Sequence, residues 1–280
     1  MQLFIIIISV ILGILLLYLL AVMPKLRRNP DSNNFDGWLY AHRGLHDNKS
    51  RAPENSLQAF QLAVEKGYGI ELDVQLTKDK VAVVFHDYNL KRACNADLKI
   101  EECSYEELMK YRLFQSQEKI PTFQEVLKTI DGRVPLIIEL KIPWRPEHLC
   151  GEVSRILGSY RGIYCIESFN PFGLAWYRKH CREVVRGQLS TDFIREKIAG
   201  NKLQYFILKH LLLNFYTKPD FIAYHHVYKT GLSYTICRKL YRVKTIAWTI
   251  QNQKDYEESK GFYELFIFDS FIPEAMDMKS

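Results

Sequence analysis

The chain has 280 residues, of which 48% are hydrophobic, and 38 Lys and Arg against 32 Asp and Glu give a formal charge of +6 at neutral pH. This composition excludes a disordered chain, a collagen-like chain and a multi-span membrane protein. The length fits either two small domains or one large barrel.

The first predicted element is an apolar helix at the N-terminus. The stretch from Leu3 to Met23 has no charged residue, and at about 1.5 Å per residue it spans a hydrocarbon core of roughly 30 Å. The apolar region of a cleaved signal peptide is shorter, usually about 7 to 15 residues, and Ala21-Val22-Met23 is a poor cleavage site. We therefore predict that residues 1–24 are an uncleaved transmembrane anchor.

The residues after this helix indicate its orientation. Lys25, Arg27 and Arg28 follow directly, and the positive-inside tendency then places the rest of the chain in the cytoplasm. Six Cys without a C-x-x-C pair agree with a reducing compartment, although an even count also permits three disulfides. The polar residues around Pro30 predict a basic juxtamembrane linker at 25–37. No basic-aromatic stripe indicates nucleic-acid binding, and the oligomeric state stays open.

From Trp38 onward, short apolar runs alternate with amphipathic patterns. Eight runs predict strands: Trp38 to Ala41, Gly69 to Leu76, Pro135 to Lys141, Ile163 to Ser168, Val184 to Leu189, Phe221 to Tyr224, Lys244 to Thr249 and Leu265 to Phe268. Seven stretches predict helices: Ser56 to Lys66, Thr122 to Ile130, Glu147 to Leu157, Phe172 to His180, Ile194 to Phe215, Ser233 to Tyr241 and Asp255 to Lys260. This alternation predicts an α/β fold, a (β/α)₈ TIM barrel over residues 38–280.

One stretch interrupts the alternation after the second strand. A polar turn from Thr77 to Lys80 leads into Val81 to His86, and residues 88–120 then lack the barrel rhythm. We expect a small insertion here. Loops at the carboxyl ends of barrel strands are where this fold carries its chemistry.

Polar residues at strand ends form the candidate site. They are His42-Arg43, Glu71-Leu72-Asp73, His86-Asp87 and Glu139-Leu140-Lys141. Glu71 and Asp73 are two residues apart and point to the same side of their strand. With Glu139 they would repel one another, and a bound cation resolves this conflict. Oxygen ligands favour Mg²⁺ or Ca²⁺ over Zn²⁺; the alternative is that the carboxylates only pair with Arg43 and Lys141.

Two histidines and two cations complete this candidate site. Histidine suits general acid and base roles, although a single histidine on an apolar strand is more often a core group. His42 and His86 both arrive beside the carboxylates. Arg43 and Lys141 indicate an anionic substrate, because a guanidinium grips phosphate oxygens through paired donors.

Motifs in a fixed order extend over most of the chain. They are Ala41-His42-Arg43-Gly44, Ala52-Pro53-Glu54-Asn55-Ser56, Ile70-Glu71-Leu72-Asp73-Val74, Thr77-Lys78-Asp79, Val84-Phe85-His86-Asp87, Glu139-Leu140-Lys141, Glu167-Ser168-Phe169-Asn170-Pro171 and Ala247-Trp248-Thr249. Together they resemble the glycerophosphodiester phosphodiesterase family, from Trp38 to Pro273. The chain departs from the family pattern at Phe268-Asp269-Ser270, where the family has a Thr-Asp-x-Pro tail. The sequence therefore does not decide whether the barrel closes on that side.

The resemblance implies a TIM barrel with an insertion, and hydrolysis of glycerophosphodiesters to glycerol 3-phosphate and an alcohol with one divalent cation. It implies metal ligands at Glu71, Asp73 and Glu139, an acid/base pair at His42 and His86, and substrate-binding groups at Arg43, Lys141 and Trp248. Trp248 has an alternative as a barrel-core aromatic. Glu54 and Asn55 are expected to support the site or to cap the following helix.

Two other functions stay open at this point. A lysophospholipase D acting on lysolipids at the membrane would use the same pocket residues. A catalytically silent, membrane-tethered binding barrel is the other alternative. The apolar segment Ile194 to Phe215 suggests an interfacial helix that guides lipid-derived substrates, with packing on the barrel or a dimer partner as its alternative.

Overall fold

The computed structural model describes residues 1–27, 29–143 and 145–274, so Arg28 of the basic cluster lies outside the described residues. Within them, nine strands form one sheet: β1 (Leu39–His42), β2 (Gly69–Leu76), β3 (Ala82–Val84), β4 (Leu136–Leu140), β5 (Tyr164–Ser168), β6 (Arg186–Ser190), β7 (Phe221–His225), β8 (Lys244–Ile250) and β9 (Leu265–Phe268). Eight are parallel and close into a barrel, because β1 pairs with both β2 and β9. The predicted TIM barrel is confirmed, and it is closed at β9.

The helices of the described residues lie mostly outside this barrel. They are α1 (Gln2–Val22), α2 (Leu57–Glu65), α3 (Lys91–Cys94), α4 (Tyr105–Leu108), α5 (Phe123–Ile130), α6 (Pro146–Leu157), α7 (Pro171–His180), α8 (Lys202–Lys209), α9 (Asn214–Thr217), α10 (Leu232–Lys239) and α11 (Gln253–Ser259). The prediction of one continuous helix from Ile194 to Phe215 is wrong. Asn201 caps the start of α8 through its side chain, and Leu211 adopts a left-handed φ of 54°, which separates α8 from α9.

Alternation along the strands decides which side chains face the barrel interior. On β2, Ile70, Leu72 and Val74 belong to the core between the sheet and the helices. The intervening Glu71 and Asp73 therefore point inward, since successive strand residues face opposite sides. The interior below them is filled by a second cluster that includes Tyr40. The acidic residues thus sit on top of a packed apolar floor.

The interruption after β2 has two parts. Strand β3 pairs with β2 in the antiparallel direction, outside the closed barrel. Residues 88–120 hold α3, α4 and a short 3₁₀-helix at Ile100–Glu102, and they share a small core of their own around Leu90 and Leu108. This segment covers one side of the barrel mouth, next to the end of β2.

The polar segment before β1 closes the opposite end of the barrel. It forms a 3₁₀-helix at Pro30–Phe35, and the Phe35 side chain is buried in the interior cluster. Tyr40 donates a hydrogen bond to the Phe35 carbonyl oxygen at 3.0 Å. The residues predicted as a linker are therefore folded against the amino ends of the strands, which we call the base.

Helix α1 is long and apolar enough to cross a membrane, and a signal sequence would have the same position and composition. Most of its length is exposed, but its last turn contacts the barrel. Val22 is fully buried and belongs to the main core. The helix is thus joined to the barrel by packing as well as by the chain.

Candidate active site

Three carboxylates meet inside the barrel at the carboxyl ends of β2 and β4. Glu71, Asp73 and Glu139 each offer an oxygen, and these oxygens lie within 4.8 Å of one another. The parallel register sets Asp73 opposite Glu139, which explains why two sequence-distant motifs converge. All three side chains are buried. The structure therefore brings together the three residues that the sequence predicts as metal ligands.

A fourth carboxylate, Glu167, extends the cluster. The register of β4 and β5 sets it beside Glu139, and it is buried. Its Oε2 has no hydrogen-bond partner among the described residues. Glu167 belongs to the motif Glu167-Ser168-Phe169-Asn170-Pro171, for which the sequence predicts no role. Its place at the end of the strand next to Glu139 is the signal that would have identified it.

Crowding shifts the proton equilibria of these groups. Burial, with the charges of Asp73 and Glu139, raises the pKa of Glu71 well above its usual value. Burial also raises the pKa of Glu139 and, more strongly, that of Glu167. For Asp73, Lys141 and other nearby cations outweigh burial and hold the pKa well below its usual range. Burial and the neighbouring carboxylates thus disfavour the charged forms of Glu71, Glu139 and Glu167, whereas nearby cations favour the charged form of Asp73.

Two cations lie within this acidic cluster. Lys141 Nζ is 3.2 Å from Asp73 Oδ1 and 2.9 Å from Glu139 Oε1. Arg43 Nε is 3.3 Å from Asp73 Oδ2, while its Nη1 donates to Glu54 at 2.8 Å. The carboxylates thus do form ion pairs with Arg43 and Lys141, as the alternative to a bound cation predicts. These ion pairs leave Glu71 with the backbone N–H of Arg43 at 3.2 Å and His42 Nε2 at 3.8 Å, so pairing alone does not account for the cluster.

His42 is oriented by a carboxylate that directly follows the last strand. Its Nδ1 lies 2.9 Å from Asp269 Oδ2. Burial opposes ionisation of Asp269, but contacts with His42 and His46 hold its pKa well below its usual range. A carboxylate ion only accepts hydrogen bonds, so Nδ1 is the protonated nitrogen and Nε2 faces Glu71. Burial and Arg43 lower the pKa of His42 to about 4.

His86 is held in a parallel way on the insertion side. Its Nδ1 lies 2.6 Å from Asp87 Oδ1, and Arg92 donates to Asp87 at 2.7 Å. Burial disfavours the charged form of Asp87, but these two partners hold its pKa well below its usual range. Nδ1 of His86 is therefore the donor, and Nε2 is left for another contact.

Asp269 is a site residue that was not predicted from the sequence. It directly follows β9, and β9 pairs with β1, which carries His42. It lies in the stretch Phe268-Asp269-Ser270, which departs from the family tail. A carboxylate at the end of the strand next to β1 was the available signal.

The loop at Glu54 and Asn55 supports the cluster from behind. Asn55 donates from Nδ2 to Asp73 Oδ2 at 2.9 Å. Ser56, not Asn55, caps α2, because its Oγ accepts from the backbone of Ala59. Of the two expectations for Asn55, supporting the site is the one whose contact is present.

Trp248 lies half-buried at the wall of the mouth, near the end of β8. Its ring is edge-on to Phe169, with centroids 5.5 Å apart, and to His225 at 4.9 Å. On the other side of the mouth, a cleft of about 350 Å³ opens beside Lys141, between Tyr88 of the insertion and His148 of α6. The acidic cluster thus has an aromatic wall on one side and an open cleft on the other.

Buried carboxylates, oriented imidazoles and fixed cations at a barrel mouth are the components of an enzyme that acts on an anionic ester. The model of the glycerophosphoryl diester phosphodiesterase family matches residues 42–265. That range begins at His42 and contains all of the predicted site residues. The chain belongs to this family and is a phosphodiesterase enzyme.

Individual relatives agree with this assignment. YhdW of Bacillus subtilis strain 168, named as a candidate glycerophosphodiester phosphodiesterase, is 38% identical over 234 residues, which cover 78% of this chain and 87% of YhdW. A human lysophospholipase D is 33% identical over 138 residues, covering 45% of this chain and 43% of that protein. The structure of an Oleispira antarctica phosphodiesterase with the product sn-glycerol-3-phosphate has a TM-score of 0.68 at 24% identity, covering 85% of this chain and 94% of that one, and supports the fold.

Proposed function

We propose that the enzyme hydrolyses glycerophosphodiesters, such as glycerophosphocholine, to glycerol 3-phosphate and an alcohol. The observation that carries this proposal is the buried carboxylate cluster. Arg43 and Lys141 form ion pairs with it, and His42 and His86 lie on either side of it. The name of the Bacillus subtilis relative supports the same substrate class. Hydrolysis of a phosphodiester requires both neutralisation of the phosphate charge and proton transfer, and this site has groups for each.

Glu71, Asp73 and Glu139 would hold one divalent cation, Mg²⁺ or Ca²⁺. The donor set fits such an ion, since hard cations take carboxylate oxygens and one oxygen from each of the three side chains lies within 4.8 Å of the others. When bound, the cation supplies charge neutralisation at a non-bridging phosphate oxygen. Arg43 and Lys141 would bind the remaining phosphate oxygens through charge-assisted hydrogen bonds.

His42 and His86 would transfer the protons. Each has its Nδ1 proton directed at a carboxylate, Asp269 and Asp87 respectively, so that Nε2 is the nitrogen available to substrate. One histidine deprotonates the nucleophile and the other protonates the leaving alcohol. Trp248 would pack near the substrate, and the cleft beside Lys141 has room for the alcohol part of the diester.

Helix α1 would be an uncleaved, single-pass anchor with the catalytic domain on the cytoplasmic side. Cleavage after the helix would remove a buried core residue, Val22, and this supports retention. Lys25 and Arg27 support the orientation through the positive-inside tendency. Intact mass of the protein purified from membranes tests the anchor: the full chain is expected, and a chain starting after Met23 would refute it.

A second activity, that of a lysophospholipase D, is favoured by two observations. One is the apolar helix, which would keep the enzyme beside lysolipids. The other is the likeness to the human lysophospholipase D. The two substrates differ by one acyl chain on the glycerol, so the phosphate and metal groups would act alike on both.

A substrate panel tests the proposed function. Glycerophosphocholine and lysophosphatidylcholine are incubated with the full chain in detergent, with Mg²⁺, Ca²⁺ or EDTA. Release of glycerol 3-phosphate that EDTA abolishes is the expected result. Release of lysophosphatidic acid with no glycerol 3-phosphate would favour the second activity. No hydrolysis of any diester with either cation would contradict both and leave a binding barrel.

A further inference from the structure

The last turn of α1 is fastened to α9, α10 and the residues just beyond them. Tyr18 Oη lies 2.8 Å from Ser233 Oγ, and Tyr241 donates to the Leu19 carbonyl oxygen at 2.8 Å. The Val22 carbonyl oxygen accepts from Asn214 Nδ2 at 3.0 Å. These contacts fix the helix relative to the barrel, so the anchor and the catalytic domain would move together.

The contacts also give the direction in which α1 leaves the barrel. Ser233 lies at the start of α10, which follows β7 and so begins at the mouth. Lys218 precedes β7, so it lies at the base, and it donates to the Met23 carbonyl oxygen at 3.2 Å. The helix therefore runs from the mouth towards the base as it ends. Its earlier residues, 2–17, extend away on the mouth side.

Four exposed apolar side chains lie beside this junction, and we call them the apolar rim. They are Leu203, Phe206, Val227 and Leu232, with exposed fractions of 68%, 48%, 59% and 64%. A chain of contacts joins the rim to α1, because the Phe206 ring is 4.5 Å from the His210 ring and His210 Nδ1 is 3.1 Å from Ser233 Oγ. Single exposed apolar residues are ordinary, but these four lie beside the point where an apolar helix leaves the barrel.

The rim also borders the candidate active site. Val227 is two residues beyond His225, whose ring is 4.9 Å from that of Trp248. The rim thus lies between the anchor and the aromatic wall of the mouth. A molecule moving from the bilayer along α1 would pass the rim before it reached Trp248.

We infer that the apolar rim rests in the surface of the bilayer that α1 enters, so that the barrel mouth faces the membrane. The inference rests on the proposal that α1 is retained as an anchor. Lys202 at the start of α8 is exposed beside the rim and complements anionic headgroups, as does Arg195, whose side chain is 75% exposed although its Nε lies 3.4 Å from Asp192. An amphiphilic phosphodiester with one acyl chain would then reach the site from the lipid phase.

Depth-dependent quenching of a fluorophore tests this orientation. The full chain carries a Cys94→Ser change, since the other five cysteines are buried, and receives one bimane label at Phe206→Cys, Ile163→Cys or Leu12→Cys. Ile163 is exposed and precedes β5, so it reports on the base, whereas Leu12 lies in α1. Each protein is reconstituted into phosphatidylcholine vesicles containing phosphatidylglycerol, with or without bromine on the acyl chains.

Brominated lipid should quench the label at Leu12 strongly, and the label at residue 206 about twofold or more, because an interfacial apolar face lies roughly 5–10 Å into the boundary region. The label at 163 should be unaffected. Quenching at Leu12 with none at 206 would overturn the inference, as would equal quenching at 206 and 163. No quenching at Leu12 would refute the anchor and the inference together. Glycerophosphocholine hydrolysis by the same proteins reports the chemistry separately.

Discussion

The mouth and the base of the barrel both bury charged groups, but they satisfy them differently. At the base, Lys244 donates to the Ser32 carbonyl oxygen at 2.8 Å and pairs with Asp36. Arg186, also at the base, donates to the carbonyl oxygen of Lys218 at 3.2 Å. At the mouth, the buried carboxyl of Glu71 lies beside Asp73 and Glu139, and its contacts are the Arg43 backbone N–H at 3.2 Å and His42 Nε2 at 3.8 Å.

This difference separates structural from functional charge. Burying a charge costs little free energy only when hydrogen-bond or ion-pair partners replace the water around it. At the base, carbonyl oxygens and Asp36 are these partners. The acidic cluster at the mouth contains four carboxylates, and two cations contact it among the described residues, Arg43 and Lys141, which favours an added cation. We therefore expect changes at the mouth to affect turnover, and changes at the base to affect stability.

The largest effect on turnover is expected from His42→Ala. Loss of a general acid or base should lower kcat for glycerophosphocholine by roughly 10² to 10⁴. The matched control is His180→Ala, since His180 is exposed at the end of α7, away from the site. An unchanged kcat in His42→Ala, with the control also unchanged, would remove His42 from the mechanism.

A smaller effect is expected from Asp269→Asn. The amide no longer selects the Nδ1-protonated form of His42, so kcat should fall about 10- to 100-fold, as for other orienting partners. KM for glycerophosphocholine should stay near the wild-type value, because Asp269 orients the imidazole and not the substrate. A rise in KM with kcat unchanged would mean that Asp269 has no positioning role.

The smallest effect on turnover is expected from Lys244→Met at the base. The change leaves the Ser32 carbonyl oxygen without its buried donor, and the free energy of unfolding should drop by about 1–3 kcal/mol. Urea denaturation measures this loss, and kcat/KM of the folded enzyme should be unaltered. If Lys244→Met has wild-type stability but impaired turnover, the assignment of stability to the base and turnover to the mouth is contradicted.

The sequence was informative where local pattern and long-range placement agree. The run Gly69 to Leu76 was predicted with the bounds that β2 has, because it is flanked by clear turn residues. The inward direction of Glu71 and Asp73 followed from strand periodicity alone. Their approach to Glu139 followed from a parallel barrel, in which neighbouring strands end at one edge.

The sequence did not predict the structure where tertiary contacts override the local pattern. The apolar stretch before β7 has helical spacing, yet a left-handed residue at Leu211 divides it. The polar residues near Pro30 lack any periodic signal, and only Phe35 hints that they fold into the base. Asp269 and its partner His42 are 227 positions apart in the sequence, a separation that no local pattern encodes.

Calorimetric titration of Ca²⁺ or Mg²⁺ into EDTA-stripped protein tests the central claim, that the mouth holds charge reserved for a cation. Wild-type protein and Lys244→Met should each bind one cation, and Glu71→Gln should bind at least about tenfold more weakly. Absence of binding to the wild-type protein, or equal affinity in Glu71→Gln, would contradict the claim.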